Sequence, residues 1–94
     1  MPFPNQTPRE FTKAGIEVLN PNQNGVYGIY RADAWVYVGR GDIRTRLLAH
    51  LNGDNPRITR EKPTHYVTEV TASDEAREKT LIVELNPIAN RKVG

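Results

Sequence analysis

The sequence predicts a small α/β domain of the α+β kind, a three-stranded antiparallel sheet flanked by helices in the order β-β-α-β-α. Three observations predict it. Two short runs rich in Val, Ile, Tyr and Trp, Gly25 to Arg31 and Ala34 to Gly39, follow each other almost without a break, as the arms of a β-hairpin do. His65 to Thr71 alternates as a third strand, because successive side chains of a strand point to opposite faces. Two stretches carry apolar residues at helical spacing, Ile43, Leu47, Leu48 and Leu51 in one and Leu81, Ile82 and Leu85 in the other, each an amphipathic stripe.

Residues 1–24 read as an N-terminal extension with a short helix, and residues 25–94 as the domain proper. Thr7-Pro8-Arg9-Glu10 offers an N-cap, a proline at the first helical position and a glutamate at the third, a capping box that predicts a helix running to about Leu19. Asn20-Pro21-Asn22-Gln23-Asn24 is turn material. After the hairpin, Asp42 caps a helix from Ile43 to about Leu51, and Asn52-Gly53-Asp54-Asn55-Pro56 stops it. Arg57 to Pro63 is basic and weakly patterned, a loop or short irregular helix. Ser73 caps the last helix, whose first turn carries Asp74 and Glu75 as the helix dipole favours, and which ends near Asn86-Pro87.

Bulk properties bound the function. The chain has 94 residues, 37% of them hydrophobic and 26% charged, a composition that supports one globular core. No apolar run approaches the roughly 20 residues that span a bilayer, so no membrane role is expected. Met1-Pro2-Phe3-Pro4-Asn5 lacks a basic region followed by an apolar stretch, and there are no cysteines. An intracellular, cytoplasmic location is expected, nucleoid-associated if the source is prokaryotic. The net charge is only +2, but between Arg40 and Lys62 six Lys/Arg face three acidic residues, whereas from Glu69 to Glu84 five acidic residues face two basic ones. A positive middle segment suits phosphates, although a solvated helix face and loop would look the same.

Glu78 is the residue most out of place. Helical spacing sets it on the stripe of Leu81, Ile82 and Leu85, while Glu84 projects to the opposite side. A carboxylate turned inward pairs with a base, binds a metal or stays protonated. The plainer alternative is a side chain that reaches solvent or an arginine near the helix start. Tyr27, Tyr37, Arg40, Arg46 and His50 are the other polar candidates, with Arg46 and His50 one helical turn apart. Taken singly, each suits packing or the surface as well as chemistry.

Together these residues resemble the GIY-YIG nuclease family from Gly25 to Asn90. Gly25-Val26-Tyr27 and Tyr37-Val38-Gly39 are similar to the two tripeptides that name the family, with the tyrosines ten residues apart. Arg46 with His50 resembles the arginine and, in some members, the histidine of the first helix. Glu78 resembles the metal-binding glutamate. Pro87-Ile88-Ala89-Asn90 resembles the closing proline-x-x-asparagine, its asparagine twelve residues after that glutamate. Gly28-Ile29-Tyr30 spells the literal motif, but Tyr30 lies only seven residues before Tyr37. Tyr27 therefore takes the active-site role and Tyr30 a packing role, in the style of the excision-repair branch.

The resemblance implies a metal-dependent endonuclease acting on DNA in repair or restriction. One Mg²⁺ or Mn²⁺ would sit on Glu78, and Arg46 would clamp the scissile phosphate. Tyr27 or a metal-bound water would serve as base or proton relay, with Tyr37 orienting the nucleophile. Arg40, where many relatives have lysine, would contact phosphate together with His50 and Asn90. A further domain, a protein partner or self-association would supply specificity. The alternative is a catalytically inactive module on the same fold that binds nucleic acid or protein. One geometric condition follows: for Tyr27 and Tyr37 to share a face, paired residue numbers must sum to an even value, which calls for an odd-length connection such as Ala32-Asp33-Ala34, or a bulge after a two-residue turn.

Overall fold

Each face of the central sheet buries its own apolar set, and together the two sets account for the fold. The computed structural model describes residues 2–91. In chain order the elements are β1 (Arg9–Glu10), α1 (Lys13–Glu17), β2 (Asn24–Arg31), β3 (Ala34–Asp42), α2 (Ile43–Leu51), α3 (Pro56–Arg60), β4 (His65–Val70) and α4 (Asp74–Leu85), followed by a 3₁₀ turn at Ile88–Asn90. All strand pairs are antiparallel, in the order β1-β4-β2-β3. One face packs Tyr27, Ile29 and Tyr66 against Ile43 and Leu47 of α2. The other packs Val26, Val38 and Val67 against Leu81 of α4 and against Phe3.

The sheet has four strands rather than three, and the helix expected from Thr7 does not form there. Arg9 and Glu10 pair with Tyr66 and His65 and cover the outer edge of β4. Phe11 continues the extension, donating its N–H to the Thr64 carbonyl at 2.9 Å and packing its ring into the core. Only then does the chain turn helical. Thr12 is the cap in place of Thr7, its hydroxyl accepting from the Gly15 N–H at 3.0 Å. A local capping signal is worth about 1 kcal/mol. Satisfying an open strand edge while burying an aromatic ring outweighs it. Tyr66 ties the segment down by donating its hydroxyl to the Gly15 carbonyl at 2.6 Å.

The hairpin turns in two residues, Ala32 and Asp33, not three. From Asn24↔Asp42 to Ile29↔Tyr37 the paired numbers keep an even sum, and beyond that point Tyr30 pairs with Trp35 and Arg31 with Ala34. Val36 is the extra residue, a β-bulge that absorbs the mismatch between a short turn and the register further down. Its effect on side-chain direction is large. Trp35 joins the α4 face, stacking on Phe3 with centroids 5.7 Å apart, and both rings lie over Gly28, where any Cβ would strike them. Val36 and Tyr37 join the α2 face.

Asn86 ends α4 in the left-handed conformation, φ 45°, a role asparagine tolerates well. The chain then folds back through Pro87 to set the 3₁₀ turn beside β3. β3 is the open edge of the sheet, and Asn90 closes it: its Oδ1 accepts from Val38 N at 2.7 Å while its Nδ2 donates to Val38 O at 3.0 Å. The carboxamide behaves as a one-residue strand.

Candidate active site

Tyr27 and Tyr37 share the α2 face, with ring centroids 6.4 Å apart. The bulge at Val36 makes this possible, as the register requires. Gly39 lies directly across from Tyr27, and the phenol of Tyr27 rests on it so closely that an added Cβ would collide with the Tyr27 hydroxyl and with the Tyr37 ring. The glycine that closes the second tripeptide is therefore a steric requirement of the first tyrosine.

His50 does not face outward as a phosphate contact. It is only 2% exposed, because position 50 falls on the inner face of α2 behind Leu47, and both ring nitrogens are engaged. Nε2 lies 2.7 Å from the Tyr27 hydroxyl and Nδ1 lies 2.7 Å from Oδ1 of Asp54. Tyr37 meets the same ring edge-on at 5.1 Å. Burial pushes the Tyr27 phenol well above the ordinary tyrosine range, reinforced by Tyr37 and opposed by Arg46. Burial also depresses the imidazole, against the carboxylate of Asp54 that raises it. Tyr27 is thus a neutral hydroxyl and His50 a neutral ring near pH 7.

Asp54 is a site residue that the sequence reading passed over as turn material. Its two oxygens serve two partners, Oδ1 the His50 ring and Oδ2 the Arg46 guanidinium at 3.6 Å. The available signal was spacing: Asp54 follows His50 by four residues, just past a helix end, where a carboxylate can curl back over the last turn. Arg46 itself remains half exposed.

A second cluster gathers where α4 crosses β3. Arg40 places Nη1 3.4 Å from Asp74 Oδ2 and Nε 3.5 Å from Glu78 Oε1. Glu78 is mostly covered, its side chain 23% exposed, while Glu84 is exposed as its helical position predicts. Burial holds the Glu78 carboxyl above the usual range; Arg40 pulls it down, and Asp74 and Glu75 push it up. Asp74 goes the other way. Burial opposes its ionisation, but hydrogen bonds from Asn24 and Arg40 hold it below the usual range.

Tyr37 stands between the clusters. Burial raises its phenol, and the charges that then act on it are Glu78 from one side and Arg46 and Asp54 from the other. Five of the seven candidates thus form one chain of neighbours in the region of Tyr37, with Tyr27 and Arg46 reaching it from the α2 side and Glu78, paired with Arg40, from the α4 side. His50 lies beneath that region. Asn90 acts on it through the strand, since its carboxamide is occupied by the Val38 backbone.

Among the described residues no three His, Asp or Glu side chains converge as a ready-made metal cage. The donor set fits a hard divalent ion held by one carboxylate. Arg40 engages only Oε1 of Glu78, at a long 3.5 Å. Magnesium-like ions keep several waters and complete their shell with phosphate oxygens.

No protein-family model and no curated protein matches the chain. Two crystal structures of the GIY-YIG N-terminal endonuclease domain of UvrC from Thermotoga maritima do match in structure. One, a point mutant bound to its catalytic divalent cation, aligns with a TM-score of 0.72 at 23% identity over 86% of this chain and 100% of that one. The other, bound to magnesium, aligns with a TM-score of 0.68 at 25% identity over 85% of this chain and 100% of that one. The antiparallel sheet with its bulged hairpin and flanking helices thus has the GIY-YIG fold, similar in structure to the excision-repair branch of that superfamily.

Proposed function

We propose that this chain is a divalent-metal-dependent endonuclease domain that hydrolyses phosphodiester bonds of DNA. The observation that carries the reading is the placement of Tyr37 between an arginine fork and a partly desolvated carboxylate. Phosphodiester hydrolysis is accelerated by a cationic clamp on the phosphate and by a carboxylate able to hold a metal ion beside it. The fold shared with a cation-bound endonuclease domain supports it.

Glu78 would hold one Mg²⁺ or Mn²⁺, and such an ion, when bound, neutralises charge on the phosphate and on the oxygen that departs. Arg46 supplies a planar pair of donors to the non-bridging oxygens, and Arg40 adds positive charge from the β3 side. Tyr37 orients the attacking water. That water loses its proton to the Tyr27 oxygen while Tyr27 passes its own proton to His50 Nε2, the acceptor 2.7 Å away. A phenol this hard to ionise relays a proton rather than storing negative charge. Target choice would come from another domain, a partner or self-association.

The test is cleavage of branched, damaged and plain duplex DNA with Mg²⁺ or Mn²⁺. Glu78→Ala and Arg46→Ala should each lose on the order of 10³-fold in rate, the size of an electrostatic contribution to a transition state. Undiminished cleavage by Glu78→Ala would rule out the metal assignment. Salt-sensitive DNA binding with no cleavage of any substrate would reassign the chain to an inactive binding module.

A further inference from the structure

His50 is sealed from water, so the protein alone decides which ring nitrogen carries the proton. A carboxylate only accepts. With Asp54 Oδ1 2.7 Å from Nδ1, the proton sits on Nδ1 and the Nε2 lone pair is left facing the Tyr27 hydroxyl. With the proton on Nε2 instead, Tyr27 would have to accept from the ring, and its own hydroxyl proton would have no path into the imidazole.

The turn is built to hold this arrangement. Gly53 adopts φ +88°, which a side chain at that position would strain. Its N–H donates to the His50 carbonyl at 3.1 Å, and the Asp54 N–H donates to the Ala49 carbonyl at 3.2 Å. The Asp54 carboxylate is thereby wrapped back over the last turn of α2. Its other oxygen steadies Arg46 at 3.6 Å, so one residue braces both the proton acceptor and the phosphate clamp.

We propose that Asp54 is the positioning residue of the proton relay, fixing His50 as the Nδ1–H tautomer so that Nε2 receives the proton of Tyr27. This rests on the nuclease reading of the same site. As the water oxygen bonds to phosphorus, its proton moves to Tyr27 Oη and the Tyr27 proton moves to Nε2. The imidazolium is stabilised by Asp54 and, once the product has left, returns its proton through Tyr27 Oη, the partner of Nε2; the P–O bond breaks and the departing oxygen takes a proton from solvent. The ionisable groups facing His50 are Tyr27 from β2, Tyr37 from β3, and Arg46 and Asp54 from α2 and its turn. Asp54 alone among them raises the basicity of the ring.

The experiment pairs imidazole ¹⁵N spectra with single-turnover cleavage, for wild type and Asp54→Asn, with His65→Gln used to assign the two histidines. The wild type should show His50 as the Nδ1–H tautomer, and Asp54→Asn should lose that tautomer. Its rate should fall by about 10²-fold or more with DNA affinity within about threefold, and its acidic limb should move to lower pH. A wild-type Nε2–H tautomer, or an Asp54→Asn protein with unchanged tautomer and rate, overturns the proposal. If the wild type cuts no DNA but its Nδ1–H tautomer depends on Asp54, the positioning stands and the nuclease reading fails. Should Asp54→Asn not fold, the wild-type spectrum alone decides the tautomer.

Discussion

Around Tyr27 the side chains are buried and hydrogen-bonded end to end at 2.7 Å, whereas around Glu78 they are partly exposed and held by ion pairs of 3.4 and 3.5 Å. The contrast matches the two tasks proposed for the site. A proton moves reliably only along short, fixed contacts, which the dry α2 face provides. An ion and a phosphate must enter and leave, which needs charge that is desolvated enough to attract them and loosely enough paired to release its partner. Tyr37 belongs to both halves, and the bulge at Val36 is what lets it do so.

The largest expected effect tests the dry half. Tyr27→Phe keeps the ring on Gly39 but removes the relay hydroxyl, so single-turnover cleavage should fall by about 10²- to 10⁴-fold with DNA binding retained. It also leaves His50 Nε2 buried and unpaired, which costs about 1–3 kcal/mol in a denaturant titration. A wild-type rate would remove Tyr27 from the chemistry.

The brace between the halves comes next. Asn90→Ala frees both polar groups of Val38 on the sheet edge, and should cost about 1–3 kcal/mol, lowering Tm by roughly 5–15 °C. Because Tyr37 and Gly39 flank Val38, cleavage should fall as well. Loss of activity with no loss of Tm would point instead to a direct contact with substrate.

The wet half can be tested without DNA. Any ion that binds only the folded state raises Tm by mass action, by about 1.4 kcal/mol, or roughly 6–10 °C, at an ion concentration tenfold above its Kd. Mg²⁺ should therefore stabilise the wild type at pH 7.5 and leave Glu78→Gln unmoved. Equal shifts in both proteins would place the ion elsewhere.

The smallest effect concerns Glu78 without metal. Its carboxyl is held above the usual range by burial, with Arg40 opposing and Asp74 and Glu75 assisting, so the folded state binds that proton more tightly than the unfolded chain. Stability from this group is present below the unfolded pKa and is lost as pH rises through the folded one. Glu78→Gln should then be more stable than wild type near pH 7 by up to about 0.5 kcal/mol, with the gap closing toward pH 4. A destabilised variant at neutral pH would mean that the Arg40 pair outweighs burial.

Much of the fold was legible because it is written in local periodicity. The spans of α2 and α4, the third predicted strand and the inward position of Glu78 all follow from spacings of two or 3.6 residues. The N-terminal segment was misread because Thr7-Pro8-Arg9-Glu10 satisfies a local rule, while the edge of β4 that Arg9 and Glu10 cover lies more than fifty residues away in the chain. Asp54 was passed over for a similar reason, its four-residue spacing from His50 being the one local trace. Asn52-Gly53-Asp54 has turn chemistry, and nothing in it says that the turn returns the carboxylate to a buried histidine.

By itself, the sequence determined the α+β class, the helical stripes, the condition that the two tyrosines share a face and the anomaly of an inward carboxylate. These depend on residue type and short-range spacing, which the backbone periods enforce wherever the chain lies. Only the tertiary structure decided the four-stranded sheet, the bulge at Val36, the burial of His50 and its bond to Asp54, and the capture of Asn90 by the β3 edge. Each satisfies a polar group or a cavity created by a distant segment, and no local pattern records what that segment leaves unpaired.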